Sequence, residues 1–535
     1  MDMLRAPLRQ TMPPRDLRVP LAAAWFLLSG AAFASPQEAS PIGFPGCDAF
    51  AFGLDSGPQP IVVAPPSGPG PALADPYSDL LEPVAQLAAP AGNYMDLSLR
   101  RNLLAAARVF PGGGGVEFFD MSDPAQPVRI AEIRIPYPVW DVSLFEQGGT
   151  TFVALGNEGV PTPVVGAQIW ALTDAGPTYV SHPSHLGRPE NVHHVFVETR
   201  GAKRFLYCGA STGPFAAIDA HLDIYDVTSP ADPLLLATLG AVPPTPSVPG
   251  FFVHDFAAGW NPSLGRYVLG IGALTQGIVL FDVALPGSPV FLAQFSAYGP
   301  SVDGHSIAVS ADGAHVFLTN EIPSPAWGGL NVLDVTGAGG PGGIVEVSQY
   351  ATTTSFVHYA RRLGKFLFTS NAQDGMTVFE VSDPTSLAPV AWKATQEGTG
   401  VPLCWDVLPI VGSKGTFVVA NEIGEGLEIF AFRPYRAERT GRRTVHSLAS
   451  LGLRVRNLTY SPASVVARVF LEGEGGALSF AAPLLLGPHA DVPFAIPSSA
   501  GPVPPGLYDL AFEVVQIEGN QTTYLDRFRD KFALR

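Results

Sequence analysis

The sequence is short of charge, short of cysteine and nearly without long apolar runs. Asp, Glu, Lys and Arg make up only 15% of its 535 residues, and acids outnumber bases 47 to 31, for a formal net charge of −16. With no basic stripe to neutralise phosphates, nucleic acid is excluded as the expected partner, and docking on an anionic bilayer is disfavoured. Three cysteines, Cys47, Cys208 and Cys404, are too few and too scattered for a disulfide framework or a thiolate metal site. One bridge is open to them, with one thiol left over; otherwise Cys208 and Cys404 are small core residues. Beyond the N-terminus no stretch is apolar for long enough to span a bilayer. No H-E-x-x-H motif occurs, and no glycine-rich stretch opens a helical pattern, as a nucleophile elbow or a phosphate-cradling loop requires.

What is abundant is punctuation. There are 57 glycines and 53 prolines beside 47% hydrophobic residues, a profile of short strands and many turns. At the N-terminus Arg5, Arg9, Arg15 and Arg18 precede the apolar stretch 19–33, which ends in Ala32-Phe33-Ala34. A basic region, a short apolar core and an A-x-A site make residues 1–34 a signal peptide, cleaved near Ala34. The expected mature protein is secreted, periplasmic or on the cell surface, without a membrane span. Residues 35–77 form a Pro/Gly-rich leader.

One phrase then recurs. It reads LDIYDVTSPADP at 222–233, VEFFDMSDPAQP at 116–127, IVLFDVALPGSP at 278–289, LNVLDVT at 330–336 and MTVFEVSDP at 376–384. Each copy is an alternating run that stops at an acid, turns, and usually resumes after a proline. Such a proline is tolerated where the following strand is a sheet edge. Between copies sit two more strands joined by a glycine turn, as in HSIAVSADGAHVFLTNE at 305–321. Each unit is therefore a four-stranded antiparallel meander. First strands begin at Met95, Trp140, His193, His254, His305, His358 and Trp405, and seven such units predict a seven-bladed β-propeller over 82–435. The seventh unit lacks an outer strand, and an orphan strand at 82–89 precedes the first, so the N-terminal strand is expected to fasten the ring.

The repeated phrase resembles the LVIVD repeat, and the order of motifs is similar to the choice-of-anchor B family of secreted or surface bacterial proteins. The motifs that carry this are Trp140-Asp141, His193-His194, His254-Asp255, His305-Ser306 before Asn320-Glu321, and His358-Tyr359 before SNAQDGMTVF. The resemblance implies a propeller outside the cytoplasm and brings no settled activity with it.

After Phe432 the stretch RPYRAERTGRR reads as a polar link. Alternating runs over 444–535, including VPPGLYDLAFEV, predict a small immunoglobulin-like β-sandwich. Asn457-Leu-Thr and Asn520-Gln-Thr match the glycosylation pattern, a short and weak signal.

Chemistry concentrates where the first strands begin. Four consecutive units open on histidine, and these are four of only eleven in the chain. The next positions are Asp96, Asp141, His194, Asp255, Ser306, Tyr359 and Asp406, and three second strands end in Asn-Glu, at Glu158, Glu321 and Glu422. Three readings stay open for this channel mouth. It is a hydrogen-bonded network that locks the strands, or a site for one divalent metal such as Zn, Cu, Fe or Ni, or a metal-free small-molecule pocket. The metal candidates are His193, His254, His305, His358, Glu321 and Asp255. The binding candidates are Trp140, Asp141, His194, Glu158, Tyr359, Trp405, Asp406 and Glu422. The expected function is a monomeric module that binds a protein, small-molecule or carbohydrate ligand on this face. A metal-dependent enzyme, an oxidoreductase first among them, is the alternative.

Overall fold

The structure, a computed structural model, describes residues 80–535 apart from 89–91, 159–165, 184–190, 212–220, 241–252, 275, 296–303, 322–328, 351–354, 395–402, 413–414, 442, 460–461, 474–475, 488–489, 497–502 and 519–520. The signal peptide, the leader, Cys47 and Asn520 lie outside the described residues. The fold is all-β, with a single 3-10 turn at Leu448–Leu451 among the described residues and no helix long and apolar enough to cross a membrane.

Seven four-stranded antiparallel sheets follow one another along the described chain. Six are meanders in chain order, spanning 93–135, 139–181, 191–240, 256–295, 304–350 and 360–393. The seventh takes three strands from 403–432 and its outer strand from Leu81–Leu87, which pairs antiparallel with Gly426–Phe432. The first strand of each sheet packs on the first strand of the next, and Leu403–Gly412 packs back on Asn93–Arg100. Apolar clusters fill the seams between neighbouring sheets. In the seam joining the two ends of the series, Tyr94, Leu97 and Phe119 meet Phe417, Val419 and Ile429.

The recurrent phrase has a local cause. Its acid closes the third strand by accepting the amide two residues on: Ser122 N to Asp120 Oδ1 at 2.8 Å, Thr228 N to Asp226 Oδ1 at 2.9 Å, Ala284 N to Asp282 Oδ1 at 2.8 Å and Thr336 N to Asp334 Oδ1 at 2.8 Å. These are side-chain-closed turns, and the following strand is the exposed outer one, with Val128, Leu234 and Val290 all facing solvent. Second strands are buried on both faces, as in Phe366–Ser370. Cys208 and Cys404 are buried, unbridged core residues.

The stretch after Phe432 differs from the polar link expected of it. Tyr435–Arg439 is a strand, paired antiparallel with Leu453–Asn457, so the C-terminal sheets begin at Tyr435 and not near 444. Its inward positions, Tyr435 and Ala437, are buried, while Arg439 is held by Asp530 at 2.6 Å. The arginines and glutamate between them hid the alternation. A three-stranded sheet and a five-stranded sheet share one core with the sixth and seventh four-stranded sheets, through Phe366, Phe430, Phe432, Tyr435, Val455 and Phe512. Arg433 and the amide of Ala437 both bond Asp526 across this join, at 2.9 and 2.6 Å. Asn457 is buried, donating to Gly487 O and accepting from Thr459, so this match to the glycosylation pattern is a structural turn.

Candidate functional site

Every first strand carries an extra residue at the position singled out by the repeat. Pairing with the second strand skips between Tyr94 and Leu97, Val139 and Asp141, Val192 and His194, Gly304 and Ile307, and Cys404 and Asp406. In the remaining two sheets the same two-against-one geometry is made by His254 N to Gly272 O (3.0 Å) with Gly272 N to Asp255 O (2.7 Å), and by His358 N to Ser370 O (2.8 Å) with Ser370 N to Tyr359 O (3.0 Å). A bulge re-aims side chains. Here the first residues of the pairs meet as neighbouring rings and the second line one cavity, where plain alternation would send one of each pair away.

The first of each pair forms an arc of rings at the mouth. Trp140 and His193 have centroids 5.9 Å apart, His193 and His254 4.6 Å, His254 and His305 4.2 Å, His305 and His358 4.2 Å, and His358 and Trp405 3.8 Å. Met95 closes the circuit by packing in one cluster with Trp405 and Trp140. Backbone approach is close here: a Cβ on Gly272 would lie 1.9 Å from the His305 carbonyl oxygen, so this glycine sets how near the fourth and fifth sheets come.

The second of each pair lies below, around a cavity of about 130 Å³ lined by Asp96, Asp141, His194, Asp255, Tyr359 and Arg361 among others. Much of this layer is a clasp between sheets. Asp96 accepts the amide of Val142 (3.1 Å), Asp141 that of Val195 (3.3 Å) and Asp406 that of Leu97 (3.0 Å), which ties the seventh sheet to the first. Arg361 bridges Asp96 (3.0 Å) and Asp406 (3.3 Å) beneath the Tyr359 ring. His194 bonds Asp141 and the Phe256 carbonyl, and lies 3.3 Å from Asp255. Burial opposes its charging, but Asp141 and Asp255 outweigh that and push it up to about 9. Burial raises Asp96, Asp141 and Asp406, whereas for Asp255 the imidazolium of His194 overcomes burial and holds the carboxyl well below the usual range.

The candidate ligands divide. His193 is bound by Glu158 at 2.6 Å, and despite burial this carboxylate pushes it up to about 9; Glu158 also accepts the Trp140 indole N–H at its carbonyl (3.1 Å). His305 donates Nδ1–H to the His358 carbonyl, and His358 donates Nδ1–H to the Trp405 carbonyl, both at 2.8 Å. Burial, reinforced by neighbouring imidazoles, holds His305 well below its usual value, and burial brings His358 down to about 4. Glu321 lies 3.7 Å from His305 Nε2 and 3.9 Å from His358 Nε2. Two groups thus have the compactness of a metal site: His254, Asp255 and His305, and His305, Glu321 and His358. Among the described residues His305 Nε2, His254 Nδ1 and Asp255 Oδ2 are buried without a hydrogen-bond partner.

Glu422 departs from the mouth expected of it. It is buried against Lys393, which Glu428 also holds at 2.5 Å, in a triad between the sixth and seventh sheets. Arg361 had gone unnoticed in the sequence. Its signal is position: it stands two residues after Tyr359, as Ser98 and Ser143 stand two after Asp96 and Asp141, and both serines accept amides of the next sheet at 3.0 Å.

No known family profile and no curated protein sequence matches the chain. Among 583 matching chains of known structure is a protein from Lactobacillus plantarum, 16% identical over 58% of this chain and 88% of that one, with a TM-score of 0.44.

Proposed function

We propose that the protein is a seven-bladed β-propeller of LVIVD-type repeats followed by a small β-sandwich, and that it works outside the cell as a ligand-binding module whose site is the channel mouth. The seven sheets with neighbouring first strands, and the outer strand lent by Leu81–Leu87, support the propeller. The two C-terminal sheets over one core, and a Tyr508 hydroxyl donating to the Pro504 carbonyl at 2.8 Å, support an immunoglobulin-like sandwich. The signal-like residues 1–34 support the location.

One observation carries the binding reading. Partnerless polar atoms of His254, Asp255 and His305 collect at one place, and each such atom costs about 1–3 kcal/mol when buried. A network built only to lock strands would satisfy its own members, as the Asp96, Asp141 and Asp406 carboxylates, at the position equivalent to Asp255 in their own sheets, do by accepting an amide of the next sheet. A small polar ligand carrying hydrogen-bond donors, entering over the rings, supplies the partners that the Asp255 oxygen and the His305 Nε2 lone pair lack. Thermal melting of the intact protein against panels of sugars, carboxylates, phosphates and amino acids tests this. At least one class should raise the melting temperature, and His254→Ala should abolish that rise. If ligands stabilise intact protein and variant equally, the mouth is not the site. The second reading, a metal-dependent enzyme, draws on the His305–Glu321–His358 group, and substrate turnover that follows metal loading would favour it.

A further inference from the structure

The two compact groups at the mouth share His305, and the hydrogen bonds of the rings decide between them. His305 Nδ1 is committed as a donor to the His358 carbonyl, and it is this nitrogen that faces Asp255, at 3.7 Å. A site that joined Asp255 to His305 through this nitrogen would need that bond broken and the ring's tautomer exchanged. The other nitrogen of each ring is in the opposite state. With Nδ1–H donated to a main-chain carbonyl, the Nε2 atoms of both His305 and His358 keep a bare lone pair, and both lone pairs face the Glu321 carboxylate. Backbone carbonyls that fix a ligand imidazole in this tautomer are the usual outer support of a metal site.

Two imidazole lone pairs and a carboxylate at 3.7–3.9 Å make no hydrogen bond with one another, and with the rings uncharged and the carboxylate ionised they repel. A cation among them removes the conflict. Ligands about 2.0–2.2 Å from one ion stand roughly 3–4 Å apart, which is the spacing found here. His305 is 1% exposed and its Nε2 lacks any partner, while Glu321 is about one quarter exposed and opens to the mouth.

We propose that His305 Nε2, His358 Nε2 and the Glu321 carboxylate hold one divalent transition-metal ion at the channel mouth, with its remaining coordination positions facing solvent. Two imidazoles and one carboxylate select an ion of the zinc, copper, iron or nickel kind over calcium or magnesium. The open positions suit an anionic or water-derived ligand, so the inference deepens the binding reading of the mouth and rests on it. His193 stays outside the site because Glu158 holds it.

The test uses the full chain, stripped with a chelator, then titrated by calorimetry with Zn²⁺ and by visible absorption with Co²⁺. One equivalent should bind, and His193→Ala should leave it unchanged. His358→Ala should weaken binding at least 100-fold. Glu321→Gln, which keeps the shape of a partly exposed side chain and so keeps the fold, should weaken it at least tenfold. Absence of stoichiometric binding in the intact protein overturns the proposal, as does unchanged binding in Glu321→Gln. Loss of metal on His254→Ala with retention in His358→Ala also overturns it, moving the ion to the Asp255 group. Where the intact protein binds no metal yet His254→Ala still abolishes ligand stabilisation, the metal proposal alone falls and the mouth remains the site.

Discussion

Replacing Leu81 by Ala probes whether the N-terminal strand is part of the ring. Leu81 is 4% exposed, lies opposite Phe432 in register, and shares a cluster with Phe366, Phe430 and Tyr435. Truncating a leucine so enclosed removes its transfer energy and leaves a cavity, at about 2–5 kcal/mol. Whole-domain stability is about 5–15 kcal/mol, so a single change to a strand more than 300 residues away in sequence from its partner should shift unfolding markedly. The internal control is Val128, 57% exposed on the outer strand of the first sheet, where alanine should cost within about 0.5 kcal/mol. Urea unfolding of the two variants and the parent gives both numbers. A chain beginning at residue 89 should also be far less stable than one beginning at residue 80, because it bares the edge of Gly426–Phe432. If Leu81→Ala costs no more than Val128→Ala, the strand does not close the ring.

Other expectations follow from buried charge and from the C-terminal join. His194 is raised from about 6.5 in the unfolded chain to about 9, so its contribution is complete below pH 6.5 and lost as pH rises through 9. His193, which Glu158 raises to about 9, contributes in the same window, so urea midpoints should fall between pH 7 and 9.5 and His194→Gln should lessen that slope while leaving the part that His193 supplies; a flat parent curve would contradict both imidazoliums. Lys393→Met strands Glu422 and Glu428 and should cost about 3–5 kcal/mol, with Glu422→Gln and Glu428→Gln restoring most of it in thermal melts. Because Tyr435 and Ala437 share a core with the sixth and seventh sheets, a chain ending at residue 434 should aggregate on size exclusion. A monomeric product melting like the intact protein would show that the C-terminal sheets are merely appended.

The sheet pattern was legible because it is written in turns. Acid, Ser or Thr, and Pro recur at fixed offsets, and the carboxylates of Asp120, Asp226, Asp282 and Asp334 close the same turn each time. The closing strand was legible as an orphan matched by a gap. The mouth histidines showed themselves by repeat position. The bulge did not, because it changes how two neighbouring residues point without changing their order. For the same reason Asp141 and Asp406 read as binding candidates although their carboxylates, like that of Asp96, clasp the next sheet. Glu422 shares its Asn-Glu context with Glu158 and Glu321, and only the position of Lys393, 29 residues earlier, diverts it. Tyr435–Arg439 escaped notice because its inward residues are few and its outward ones charged.

If the mouth is built to take something in, His305 stands at its heart. The most direct measurement is an anomalous difference map from crystals of the stripped full chain soaked in Zn²⁺, recorded on both sides of the zinc edge. One strong peak is expected about 2.0–2.2 Å from His305 Nε2, His358 Nε2 and a Glu321 oxygen, with further density on its open side. A mouth without an anomalous peak, its Glu321 turned away from both imidazoles, would contradict this expectation.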